Sequence, residues 1–92
     1  MPRKTNDFFN LKQLALSETG FVFDPQTGNS YVANEVGLEI IKCLQKEMEE
    51  DEIIQYLLAK FDVDEDRLKK DYEHFLLRLV QYGLIQENDL KR

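Results

Sequence analysis

The sequence has little of what most enzyme sites are built from. Its 92 residues include one histidine and one cysteine. A lone cysteine makes no internal disulfide, so a reducing cytoplasm is the simplest location. There is no Cys pair, no Gly-rich phosphate cradle and no nucleophile elbow. No apolar run approaches the ~20 residues of a membrane-spanning helix. The basic start, Met1-Pro2-Arg3-Lys4, is followed by no apolar stretch and does not read as a signal peptide. Positive charge is scarce too. Twelve Lys and Arg face 18 Asp and Glu, a formal net charge of −6, which argues against non-specific affinity for nucleic acid or an anionic membrane. The chain reads as non-enzymatic, with no metal and no cofactor.

What is present is the composition of one small globular domain. Hydrophobic residues make up 42% and charged residues 33%, enough apolar surface to build a modest core. The organising stretch is Gly20 to Gln45. Phe21-Val22-Phe23 and Tyr31-Val32 are β-branched and aromatic, as strands prefer. Between them lies Asp24-Pro25-Gln26-Thr27-Gly28-Asn29. Proline presets a turn and Gly or Asn accepts the left-handed conformation that closes it, so a β-hairpin with a loop of about four residues is expected. Its strands fall near 20–24 and 29–33. Upstream, Leu14-Ala15-Leu16 fits a first strand, while Leu11 and Leu14 also fit one helical turn.

Three helices follow. The first runs from about Glu35 to Gln45, capped by Asn34, with Glu35 favourably placed on the helix dipole. Its inward stripe is Val36, Ile40, Ile41 and Leu44. Gly37 costs roughly 1 kcal/mol relative to Ala, which suggests close approach to the strand behind. An acidic, solvated connection, Lys46 to Glu50, leads to a second helix from about Asp51 to Lys60, with Ile53, Ile54, Leu57, Leu58 and Phe61 as its stripe. Asp64 caps a third helix, about Glu65 to Tyr82. There Leu68, Tyr72, Phe75, Leu76 and Leu79 lie within about 80° of one another at 100° per residue. Gly83 ends it as a left-handed cap. Leu84 and Ile85 return to the core as a short strand. Strands first and helices after predict an α+β domain, a small antiparallel three-stranded sheet followed by three α-helices. Residues 1–10 read as a flexible start from which Phe8 and Phe9 pack back, 11–85 as the domain, and 86–92 as a polar tail. Three helices on a small sheet are also the inventory of a winged helix-turn-helix.

Individual residues offer little chemistry. His74 lies off the core stripe and reads as solvent-facing or at a groove edge. Cys43 sits beside Ile40, Ile41 and Leu44 and reads as a packed thiol. Asp62, Asp64 and Asp66 alternate like a calcium loop but lack its glycine and closing glutamate, so helix capping is the better account. The remaining argument concerns surface. A sheet of few strands has an edge with free N–H and C=O groups, and if Asn29 to Ala33 is that edge it can accept a strand from another chain. On the third helix, Lys69, Glu73, Leu77 and Val80 share a flank about 60° to 140° from the core direction. Two readings of that flank stand side by side. It lines a groove against the edge strand, or Val80 covers the core edge and Leu77 is an ordinary exposed leucine.

The order and spacing of several segments carry a resemblance. They are Gly20-Phe21-Val22-Phe23, the run Asn29 to Ile40, Phe61-Asp62-Val63, Asp71-Tyr72, Phe75-Leu76-Leu77 and Tyr82-Gly83-Leu84-Ile85. Over roughly residues 14–85 the chain resembles the PqqD-like peptide chaperones, also called RiPP recognition elements. The resemblance implies a winged-helix-like domain that binds the leader segment of a ribosomally made precursor peptide and presents it to a modifying enzyme, such as a radical SAM or cyclising enzyme. The leader would add as a strand to the third strand's edge and lie against the third helix. The implied positions are Ser30, Tyr31 and Val32 on the strand. On the helix Lys70, Glu73, Leu77 and Val80 are chosen by geometry. Neither nucleic acid nor membrane is an implied partner. The competing reading, a winged-helix DNA-binding regulator, calls for a basic third helix. Arg67, Lys69, Lys70 and Arg78 are instead balanced by Glu65, Asp66, Asp71 and Glu73.

Overall fold

Residues 9–85 are described by the structure, a computed structural model, and they open with a single helical turn, α1 (Phe9–Lys12). Both upstream readings hold in part: Leu11 closes that turn, and β1 (Ala15–Leu16) follows it. Gln45 fastens the segment from behind. Its side-chain amide donates to the carbonyls of Leu11 at 2.7 Å and Leu14 at 3.3 Å, the first of which also closes the turn by accepting from the Leu14 N–H at 3.1 Å. The expected flexible start at 1–10 is described only from Phe9, which begins α1; the rest of it, the polar tail at 86–92 and the packing of the Phe8 and Phe9 side chains lie outside the described residues.

The hairpin forms as its turn chemistry dictates. β2 (Phe21–Phe23) pairs antiparallel with β3 (Ser30–Val32), and β1 pairs with β2 on the other side, giving the order β1-β2-β3. Asp24 is buried at the hairpin's end, where its carboxylate accepts from the Gln26 N–H and the Thr27 hydroxyl. Gly28, at φ +81°, closes the loop by donating to the Asp24 carbonyl. Cross-strand partners share a face of the sheet. Leu16, Val22 and Tyr31 therefore point toward the helices, whereas Ala15, Phe21, Phe23 and Val32 point away.

Three long helices complete an α+β domain: α2 (Glu35–Gln45), α3 (Glu50–Lys60) and α4 (Glu65–Gln81). The Asn34 side chain accepts from Gly37 N–H at 2.8 Å, and Asp64 accepts from Arg67 N–H at 3.1 Å, so both expected caps form. α3 starts one residue before its expected position, with Glu52 accepting from the Glu49 N–H at 2.9 Å. The connection ahead of it is not wholly solvated, because Met48 packs on the core. Val22, Ile40, Ile41, Ile53, Leu57, Leu68 and Leu79 are almost fully buried, each contributing about 1.5–3 kcal/mol by leaving water. Gly83, at φ +78°, ends α4 as expected. Leu84 and Ile85 are buried, but as a bend and not as the expected strand. Gly37 does permit a close approach, although its neighbour is not a strand. A Cβ there would stand 2.8 Å from the Phe75 ring on α4.

Candidate functional site

The site grows from the outer edge of β3. Asp24 N–H donates to the Asn29 carbonyl at 2.9 Å, and Ala33 N–H donates to the Gly20 carbonyl at 2.8 Å. Bonded and non-bonded pairs alternate along an antiparallel ladder. The bonded pairs are therefore Asp24/Asn29, Val22/Tyr31 and Gly20/Ala33. Tyr31 turns its backbone groups inward to β2. Ser30 and Val32 turn theirs outward, along the free edge of the sheet.

α4 runs beside this edge and makes the second wall of a groove. Phe75, Arg78, Leu79 and Tyr82 stand along it, facing Tyr31, Val32 and Ala33 across a space of about 80 Å³ floored by Val22, Ile41 and Leu84. Those four helix positions recur at i, i+3, i+4 and i+7, one row of an α-helix. The Tyr31 and Tyr82 rings stack at 4.4 Å, with 23° between their planes, and tie strand to helix at one end. The space suits a side chain better than a small molecule, whose sites run to roughly 300 Å³ or more.

Of the sequence-derived positions, the structure brings Tyr31 and Val32 to the groove, with Ser30 at the start of the same strand. The helix positions lie elsewhere on α4. Lys70, Glu73 and Leu77 are exposed and Val80 packs on the core cluster, but none of them lines the groove. They lie roughly 80° to 180° around α4 from Phe75, Arg78 and Tyr82 at 100° per residue. The groove residues that sequence reasoning leaves out are Arg78, Tyr82 and Asn34, while Phe75 and Leu79 read from sequence as core alone. The available signal is the aromatic pair Phe75 and Tyr82, two turns apart on one row.

Elsewhere the chemistry is quiet. Burial pushes the Cys43 thiol above its usual range, and the nearby Glu39 carboxylate adds to this, which makes a poor nucleophile. Tyr56 donates to Glu39 at 3.0 Å, and this bond raises its pKa. His74 is exposed, at the side of a second space next to the groove. Among the described residues no His, Cys, Asp and Glu group is arranged to hold a metal, and no helix is long and apolar enough to cross a membrane.

No curated protein and no solved structure matches the chain. A family model described as coenzyme PQQ synthesis protein D (PqqD) matches residues 19–85. That span covers β2, β3, all three long helices and both walls of the groove. With most of its length inside this match, the chain belongs to the PqqD family, the RiPP recognition elements, whose members are non-catalytic peptide chaperones that bind a precursor peptide and work with a modifying enzyme.

Proposed function

We propose that this chain captures the leader segment of a ribosomally made precursor peptide by strand addition to β3 and presents it to a modifying enzyme of radical SAM or cyclising type, in the cytoplasm. The observation that carries this reading is an edge strand whose outward backbone groups, on Ser30 and Val32, stand beside an apolar groove. Backbone bonds along β3 supply affinity that is indifferent to sequence. Selectivity comes from side chains, because alternate residues of the added strand point into the groove between Tyr31 and the Phe75–Arg78–Tyr82 row. The peptide residue opposite Tyr31 shares its face and enters the apolar space. Its neighbours on either side lie over the outer face, where Phe21 and Val32 are exposed.

A synthetic leader, copied from a precursor peptide encoded beside the chain's gene, tests this by amide-resolved NMR titration of the isotope-labelled protein. The largest shifts are expected at Ser30, Val32 and the Tyr82 ring, with slowed amide exchange at Ser30 and Val32. Shifts confined to α3, or to the Lys70–Glu73–Leu77 flank, would remove strand addition as the mechanism.

A further inference from the structure

Arg78 is shared by two compartments. With Asn34 and Phe75 it forms the boundary between the apolar groove and a second space of about 310 Å³, whose remaining wall includes Gly37, Asp71 and His74. Among the described residues Arg78 has no carboxylate partner, and the ion pairs on α4 are Arg67–Asp71 at 4.0 Å and Lys69–Glu65 at 3.3 Å. Asp71 is already engaged by Arg67. It also lies seven residues toward the N-terminus, about 10 Å along the helix axis from Arg78 at 1.5 Å per residue. The two ends of this second space therefore differ in sign. The cationic end is the one that adjoins the groove, in a chain whose net charge is −6.

From this placement, and on the reading that β3 accepts a peptide strand, we propose that Arg78 makes the site selective for a peptide carrying a carboxylate side chain next to an apolar one on the same face. Side chains on one face of a strand recur at every second residue, about 7 Å apart. If the residue opposite Tyr31 seats in the apolar groove, the next on that face lies opposite Ala33. It then reaches the boundary formed by Asn34, Phe75 and Arg78. A guanidinium meets a carboxylate with two parallel N–H donors, which fixes orientation as well as charge. The ligand pattern is thus an apolar residue and an Asp or Glu separated by one residue, in a peptide that need not be acidic elsewhere. A strongly acidic peptide would be disfavoured by a chain of net charge −6.

The test is selection of short random peptides, displayed on phage, against the full chain and against Arg78→Glu in parallel. The parent should enrich peptides with an apolar residue and an acid two positions apart, and Arg78→Glu should replace the acid with Lys or Arg. In solution, changing Asp to Asn in a selected peptide should weaken binding to the parent about tenfold. Arg78→Gln should bind the two versions equally, and Asp71→Asn should leave the preference in place. Absence of acid enrichment, or acid enrichment that survives Arg78→Glu, overturns the inference. Selected peptides that lose affinity with Val32→Pro but ignore every Arg78 variant overturn it while leaving strand capture standing. Peptides indifferent to Val32→Pro, or no selected peptides at all, overturn both.

Discussion

The two flanks of α4 are similar in composition but not in surroundings. One carries Lys69, Glu73, Leu77 and Val80, the other Asp71, Phe75, Arg78 and Tyr82; each mixes charge with apolar surface. Only the Phe75 flank faces β3. Leu77 is 49% exposed and lies far from the groove, whereas Tyr82, 42% exposed, is stacked on Tyr31. Nearly equal exposure thus accompanies quite different situations. An exposed apolar side chain becomes informative only when its neighbours across the gap are known, since lone exposed leucines are ordinary on any protein surface.

The sharpest way to break this comparison begins at the strand against which the flanks are measured. Tyr31→Pro removes an N–H bonded to β2, and Val32→Pro removes one that faces outward. Tyr31→Pro should cost about 3 kcal/mol or more and leave the domain largely unfolded in a thermal melt. Val32→Pro should melt near the parent and lose peptide binding. If Val32→Pro is the variant that unfolds, the ladder parity is inverted and the groove faces a bonded edge.

Smaller effects separate the flanks themselves. Phe75→Ala should cost about 2–3 kcal/mol, less than a fully buried phenylalanine because its side chain is only partly buried at the groove. It should also weaken peptide binding by more than its loss of stability explains. Leu77→Glu should change stability by less than about 0.5 kcal/mol and leave peptide affinity unchanged. Calorimetric titration of both variants is decisive: loss of binding in Leu77→Glu would return the site to the flank that the structure turns away.

A graded effect is expected at the tied end of the groove. Tyr82→Phe should preserve both the stack and affinity. Tyr82→Ala should lower stability by about 1 kcal/mol, in the range of an aromatic pair, and reduce affinity several-fold in the same titration. Equal affinity for all three proteins would mean that Tyr82 only braces the strand.

Much of the architecture is legible in the sequence because it is decided locally. Asn34 and Asp64 mark helix starts through side-chain bonds to residues only three positions on. Gly83 marks a helix end through its backbone freedom, and the Asp24–Asn29 turn fixes the hairpin. The apolar period also gives the core face of each helix. It leaves open which side of that face lies toward β3, because the answer depends on how helices stack around the sheet. The apolar period of α4 therefore locates the core row, while the flank singled out beside it in sequence is not the one that faces β3. Gly37 shows the same limit. A close approach is legible in a glycine inside a helix's first turn, but its partner, Phe75, is 38 positions away in sequence and is supplied by the fold. The connection after α2 misleads for a related reason: Met48 is set among acids in sequence and against the core in space.

The Tyr31–Tyr82 stack has an optical consequence. The chain has no tryptophan and four tyrosines, so its near-ultraviolet absorption and emission belong chiefly to tyrosine. Two of the four chromophores are face to face at 4.4 Å, one on each wall of the groove. Rings this close couple their transitions and quench one another, in a geometry that depends on the width of the gap between strand and helix. A strand entering the gap changes that geometry or the polarity around the pair. Occupancy of the groove would thus register in the protein's own tyrosine circular dichroism and emission, without a dye, provided the peptide itself carries no tryptophan or tyrosine.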